Sequence, residues 1–131
     1  MTQTASLFDQ LVAEFNSHYQ MDLEPEEDRR CAFIDDQGIY FQLEEKAAHQ
    51  VVLTADLCKV TASDGERLLE ALLLNTDPVL EGACIALSQD RTTLLLLFTP
   101  TKRTLYKLAA GEWLPAFIAK VRVIRNRLLE G

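Results

Sequence analysis

The chain has 131 residues, of which 48% are apolar and 25% charged, and its net charge is −7. This length fits one compact domain, which buries roughly two thirds of its surface without needing disulfides or a structural metal. The longest wholly apolar run, Leu94–Phe98, is far shorter than the ~20 residues that cross a bilayer. No basic residue precedes an apolar stretch at the N-terminus, so we expect no secretory signal, no membrane span and a cytoplasmic location.

The charge is distributed unevenly along the chain. Residues 102–131 carry seven basic and two acidic side chains, a net charge of +5, whereas residues 1–100 carry −12. Nucleic-acid binding depends on Lys and Arg side chains that displace counterions, and a pI near 4.8 argues against it. We therefore expect no nucleic-acid partner. We also expect the basic face of the last helix to be solvated or to meet the acidic surface of the protein.

The first half of the chain predicts a helix followed by three strands. Apolar residues recur every three or four positions from Leu7 to Tyr19, which predicts a helix over residues 6–19 with Ser6 as its N-cap. Three runs in which apolar and polar residues alternate predict an antiparallel meander that packs on this helix. The runs are Cys31–Ile34, Ile39–Glu44 and Val51–Leu57.

The second half predicts a helix, two strands and a last helix. The capping-box pattern Ser63-Asp-Gly-Glu66 predicts the start of the second helix, which stops at Asn75. Strands are predicted over Leu80–Ser88 and Thr92–Thr99, before a helix with apolar positions between residues 117 and 128. The fold is therefore predicted to be α+β, a single domain over residues 1–131 with an antiparallel sheet and the order α-β-β-β-α-β-β-α.

Two of these elements are more apolar than a small monomer can cover. Five leucines and Ala71 give the second helix a broad apolar stripe, and the strand Leu94–Phe98 is apolar on both faces. A second copy of the chain would supply the missing cover, so we predict a homodimer. The alternative is that the last helix covers the strand and that the stripe is a tight core. The predicted interface consists of Leu69, Leu72, Leu73, Leu95 and Leu97.

No motif for catalysis or cofactor binding stands out in the sequence. His18 and His49 lack matching partners, and no nucleophile elbow, phosphate loop or metal-ligand spacing occurs. The cysteines, Cys31, Cys58 and Cys84, lie among apolar or β-prone residues, which predicts reduced core thiols. We expect no enzyme activity, no metal and no cofactor, which leaves a function based on binding surfaces.

Three segments carry a resemblance to a known family: the leucine-rich Leu68–Asn75, Leu80–Leu87 and the strand Leu94–Phe98. In these segments the chain resembles the class I type III secretion chaperones, small cytoplasmic dimers of Gram-negative bacteria typified by the Tir and YopE chaperones. The similarity is one of pattern and length and spans nearly the whole chain. It implies a homodimer that holds the N-terminal segment of a secreted effector in an extended, export-competent form without nucleotide or metal. It also implies the secretion ATPase as a further partner.

A bound segment can add a strand to an exposed sheet edge while its apolar side chains enter pockets beside the first helix and the meander. The candidate effector-binding residues are Phe8, Ile34, Tyr40 and Val52. Two other classes remain open: a dimeric α+β regulatory or sensory module without catalytic activity, and a small enzyme with an unrecognised site. A regulatory module would show a closed pocket where a chaperone shows open grooves, and an enzyme would need a reactive cysteine.

Overall fold

The computed structural model describes residues 6–47, 50–80, 82–100 and 113–130. These residues form the predicted α+β fold, in the predicted order α-β-β-β-α-β-β-α. The helices are α1 (Leu7–His18), α2 (Gly65–Leu74) and α3 (Trp113–Glu130), and the strands are β1 (Arg30–Ile34), β2 (Tyr40–Ala47), β3 (Gln50–Lys59), β4 (Cys84–Leu87) and β5 (Thr93–Phe98). His49 and the basic residues 102, 103 and 107 lie outside the described residues.

The five strands form one antiparallel sheet in the order β1-β2-β3-β5-β4, so β1 and β4 are its edges. Alternate residues turn to opposite faces. Phe41 pairs with Ala55 and Leu43 with Leu53, and all four are fully buried on the face that α1 and α3 cover. We call the opposite face of the sheet the outer face. The predicted packing of the first helix on the meander is thereby confirmed.

Aromatic rings connect the sheet to the two helices that cover it. Phe117 of α3 lies 6.2 Å from Phe41 and 5.6 Å from Phe98 between ring centroids. Trp113, at the start of α3, lies 6.2 Å from Phe98 and 5.6 Å from Phe15 of α1. Aromatic pairs at these separations add to the free energy gained by burial. One continuous core therefore holds α1, α3 and the sheet together.

Of the two predicted helix N-termini, the cap of α1 is confirmed and the cap of α2 is wrong. The Ser6 hydroxyl accepts a hydrogen bond from the Asp9 N–H at 3.2 Å, which confirms the predicted N-cap of α1. The capping box predicted at Ser63 is wrong, because the N-cap of α2 is Asp64, which makes no side-chain bond to the helix. Its carboxylate accepts from the Thr61 N–H at 2.7 Å instead. Asp side chains often bond to a local turn in this way and so compete with capping.

The strand predicted over Leu80–Ser88 is shorter in the structure. Residues Pro78–Leu80 form a 3-10 turn, and β4 begins only at Cys84. Gly82 has a φ of +92°, a left-handed conformation that interrupts an extended chain. The apolar residues before Gly82 therefore lead into the sheet without joining it, and β4 is a short edge strand.

Candidate functional site

The predicted effector-binding residues do not form one patch. Ile34 and Tyr40 pair directly across β1 and β2 on the outer face and are 65% and 39% exposed. Val52 pairs with Glu44 and is half-buried on the same face. It lies four residues along β3 from the row that contains Tyr40, which corresponds to about 13 Å at ~3.3 Å per residue. The structure thus brings Ile34 and Tyr40 together and places Val52 apart from them.

Phe8 lies in a different environment, on the side of the sheet that the helices cover. Its side chain is fully buried in the core, and the guanidinium group of Arg29 lies over its ring. Arg29 also contacts Asp9 at 3.0 Å and Glu45 at 2.9 Å. In the single chain, Phe8 is a core residue beneath an ion-paired arginine, and its role in effector binding stays a prediction.

The leucine stripe of α2 divides into a buried side and an open side. Ala71 and Leu74 are buried, whereas Leu69, Leu72 and Leu73 are 58%, 65% and 62% exposed. Exposed leucines in one group on one helix are unusual for a monomer and are typical of an interface. A tight core within one chain, the alternative considered above, does not account for these three residues.

Asn75 fixes the position of α2 beside the sheet. Its side-chain Nδ2 donates to the carbonyl oxygen of Ile85 at 3.1 Å, and its Oδ1 accepts from the Ile85 N–H at 2.7 Å. The amide thereby bonds to the outer backbone of β4 much as a neighbouring strand would. This places α2 next to β4, and it leaves β1 as the edge to which another chain can more readily add.

Leu95 and Leu97, the other predicted interface residues, are half-buried on the outer face of β5. They pair with Ala86 and Cys84 of β4, whose side chains are small. The five predicted interface leucines therefore form two groups, three on α2 and two on β5. Strand β4 lies between the two groups.

A cavity of about 210 Å³ lies between the end of α1 and the first half of α3; we call it the α1–α3 cavity. Its walls include Tyr19, Met21, Leu114, Ile118 and Arg122. Arg122 Nη2 contacts Asp35 at 3.0 Å and Asp36 at 2.6 Å. These two aspartates directly follow β1, so the cavity lies near the end of this edge strand.

The basic face of α3 meets acidic side chains, as expected from the sequence. Besides the contacts of Arg122, the guanidinium of Arg127 lies 3.5 Å from Asp77 and 4.0 Å from Glu70 of α2. These arginines are therefore partly neutralised within the chain. Such pairing reduces the positive field that a phosphate backbone would require.

Two of the three cysteines are buried thiols of low reactivity. Burial raises the pKa of Cys31 to about 11 and also raises the pKa of Cys58, so both thiols stay protonated at neutral pH. The prediction of a core thiol is wrong for Cys84, which is exposed because it lies on the outer face of a short edge strand. Within the described ranges, no cluster of His, Cys, Asp and Glu has the arrangement of a metal site. No helix in that part of the chain is long and apolar enough to span a membrane.

Solved structures of secretion chaperones share this fold. A chain of the HopA1–SchA chaperone–effector complex superposes with a TM-score of 0.70 and 18% identity over 100% of both chains. The ExoU–SpcU complex from the type III secretion system of Pseudomonas aeruginosa gives 0.67 and 14%, covering 90% of this chain and 93% of that one. The Yersinia pestis type III secretion chaperone SycH, in complex with a fragment of YscM2, gives 0.63 and 15%, covering 94% and 98%. No curated protein matches significantly by sequence.

The fold is thus shared with solved complexes of type III secretion proteins, and a family model identifies the family of this chain. The model of the Tir chaperone protein (CesT) family matches residues 10–119, which is most of the chain. The chain therefore belongs to this chaperone family. The resemblance found in the leucine-rich helix and the strands after it is thus confirmed.

Proposed function

We propose that this protein is a type III secretion chaperone that binds the N-terminal segment of one or more effector proteins in extended form and keeps it competent for secretion. Membership of the Tir chaperone family supports this function. The observation that carries it is the juxtaposition at β1, an edge strand. Ile34 of β1 and its partner Tyr40 of β2 are exposed on the outer face of the sheet, and the apolar α1–α3 cavity lies near the end of β1.

Three features contribute to the binding free energy in different ways: the edge of β1, the exposed pair Ile34 and Tyr40, and the α1–α3 cavity. An extended segment that pairs with β1 gains main-chain hydrogen bonds, and its side chains alternate between the two faces of the sheet. Those on one face meet Ile34 and Tyr40, and those on the other point towards the α1–α3 cavity. Apolar burial contributes about 25 cal/mol per Å², offset by the cost of ordering the segment.

The working form in this proposal is a homodimer in the bacterial cytoplasm. The exposed Leu69, Leu72 and Leu73 form the centre of the interface, together with Leu95 and Leu97 across β4. Two-fold symmetry would let each leucine group meet its counterpart or the other group on the partner. The secretion ATPase is a further proposed partner, at the stage of export. Neither catalysis nor a cofactor has a part in this mechanism.

Affinity purification from the native host tests the proposal. The wild-type protein should retain a secreted protein through its N-terminal segment, and Ile34→Asp should retain much less, because a charge on this face opposes apolar burial. Val123→Asp is the matched control, since Val123 is 58% exposed on α3. Retention of a compact folded domain, bound equally by all three proteins, would favour the regulatory module and contradict the proposal.

A further inference from the structure

Asp56 is a carboxylate on the outer face of β3, the central strand of the sheet. Its direct cross-strand partner on β5 is Leu95, one of the leucines of the proposed dimer interface, and both residues are half-buried. Opposite side chains on paired strands lie about 5 Å apart between their Cβ atoms. A second copy of the chain that covers Leu95 therefore also removes water from the Asp56 carboxylate.

No bond offsets the burial of this carboxylate in the single chain. Within the described ranges, Asp56 accepts no hydrogen bond and makes no ion pair. Burial raises its pKa, and the positive charge of Lys59 on the same strand opposes this rise only in part. The Lys59 Nζ donates instead to the hydroxyl of the buried Thr93, at 3.1 Å. Further burial without a new bond favours the protonated form of Asp56 still more.

A cavity of about 180 Å³ at this end of the sheet brings together the titratable groups around Asp56. They are Cys58 and Lys59 on its own strand, Tyr40 on β2 and Arg125 on α3, while β5 contributes the uncharged Thr93 and Leu95. Burial raises the pKa of the Cys58 thiol, so this group is neutral at pH 7. Among these groups, only Lys59 lowers the pKa of Asp56. The carboxylate therefore carries a desolvation cost before a second copy binds.

We propose that Asp56 makes the homodimer sensitive to pH: the ionised carboxylate opposes dimerisation, and protonation removes this opposition. The inference rests on the proposed function for the interface that contains Leu95. Two-fold symmetry places one Asp56 from each copy at this interface. The dimer, in which the carboxylate is more strongly desolvated, binds the proton more tightly than the monomer does. The dissociation constant of the dimer therefore falls as the pH falls through the pKa of Asp56.

Asp56→Asn is the direct test, because the amide keeps the size of the side chain and removes its charge. Sedimentation velocity of N-terminally labelled protein measures the dissociation constant of the dimer. At pH 8 this constant should be about tenfold lower for the variant than for the wild type, since two poorly compensated carboxylates are removed from each dimer. The difference should narrow as the pH is lowered towards 5, because the wild-type carboxylate then takes up its proton.

Glu27→Gln is the matched control for net charge. Glu27 is exposed in the loop before β1, at the edge of the sheet opposite to β4. Its substitution removes one negative charge, as Asp56→Asn does, and should leave the dissociation constant nearly unchanged because salt screens exposed charges. Asp56→Leu should bind its copy at least as tightly as Asp56→Asn does, since this position then adds apolar area to the interface.

Three results would overturn the inference while the dimer itself stands. They are equal dissociation constants for Asp56→Asn and wild type at pH 8, an equal gain in Glu27→Gln, and a weaker dimer in Asp56→Asn, which would show that Asp56 bonds to a cation of the partner subunit. A wild type that is monomeric at every pH would contradict both the interface and the inference. No secreted protein enters these measurements, so their failure leaves effector binding standing, which the affinity purification tests alone.

Discussion

The guanidinium carbon of Arg29 lies 4.8 Å from the centroid of the Phe8 ring. Hydrogen bonds from Arg29 lower the pKa of Asp9 and of Glu45, which shows that both carboxylates are held in their charged form. Arg29 thus attaches the first turn of α1 to β2 and covers Phe8 at the same time. A cation over an aromatic ring is favourable in its own right. In the single chain, Phe8 therefore anchors α1 to the sheet.

Phe8→Ala is expected to lower the free energy of unfolding by about 3–5 kcal/mol, because it removes a fully buried ring and leaves a cavity. Urea denaturation followed by circular dichroism measures this loss. Ile34→Ala is the control and should stay within about 0.5 kcal/mol, since Ile34 is largely exposed. A loss below about 1 kcal/mol for Phe8→Ala would mean that the ring does not anchor α1.

Leu72→Asp should convert the protein from a dimer to a folded monomer. Light scattering should give about 30 kDa for the wild type, twice the chain mass of 14.8 kDa, and a single chain mass for the variant. The helix should survive, because Leu72 is 65% exposed in the single chain and the charge disturbs only the interface. Val123→Asp should remain dimeric. A monomeric wild type at micromolar concentration would refute the proposed interface.

Glu14→Gln should stabilise the protein at neutral pH. Burial raises the pKa of Glu14, so its ionised form is less favourable in the folded state than in the unfolded state. The contribution of Glu14 to the free energy of unfolding is therefore greatest below its pKa in the unfolded chain. It is lost as the pH rises through its pKa in the folded protein. Thermal melts at pH 7 should therefore show a higher Tm for the variant than for the wild type, and the difference should shrink towards pH 4. An equal Tm at pH 7 would contradict this assignment.

The cysteines should differ in their reaction with a thiol reagent. In the monomeric Leu72→Asp protein, Cys84 should react rapidly because it is exposed. Cys31 and Cys58 should react only as the chain unfolds, since both are buried with a raised pKa. Cys84→Ser should remove the fast phase. Fast labelling of Cys31 or Cys58 in the folded protein would reopen the possibility of a reactive thiol.

Local patterns were enough to predict the order of the elements and the two faces of the sheet. The alternation around Phe41 and Leu43 follows directly from the two-residue period of a strand. The exposed side of the α2 stripe likewise follows from excess apolar surface on one helix. Both inferences depend only on neighbours in the chain, which is why they required no knowledge of the tertiary structure.

Features that depend on distant contacts could not be predicted in this way. Asn75 reads as a helix stop, and its double hydrogen bond to Ile85 emerges only when β4 lies beside it. Cys84 has apolar neighbours but lies on the open side of an edge strand. The α1–α3 cavity is lined by residues from the end of α1 and the first half of α3, which are far apart in the sequence, so no local motif predicts it.

Limited proteolysis of the protein bound to its secreted partner tests the central claim most directly. We predict that an extended N-terminal segment of the partner, burying on the order of 1,000–3,000 Å² against the chaperone, survives digestion while unbound copies of that segment are degraded. Ile34→Asp should shorten or abolish the protected fragment, and Val123→Asp should leave it unchanged. Protection of a compact folded domain, without any extended segment, would contradict the account.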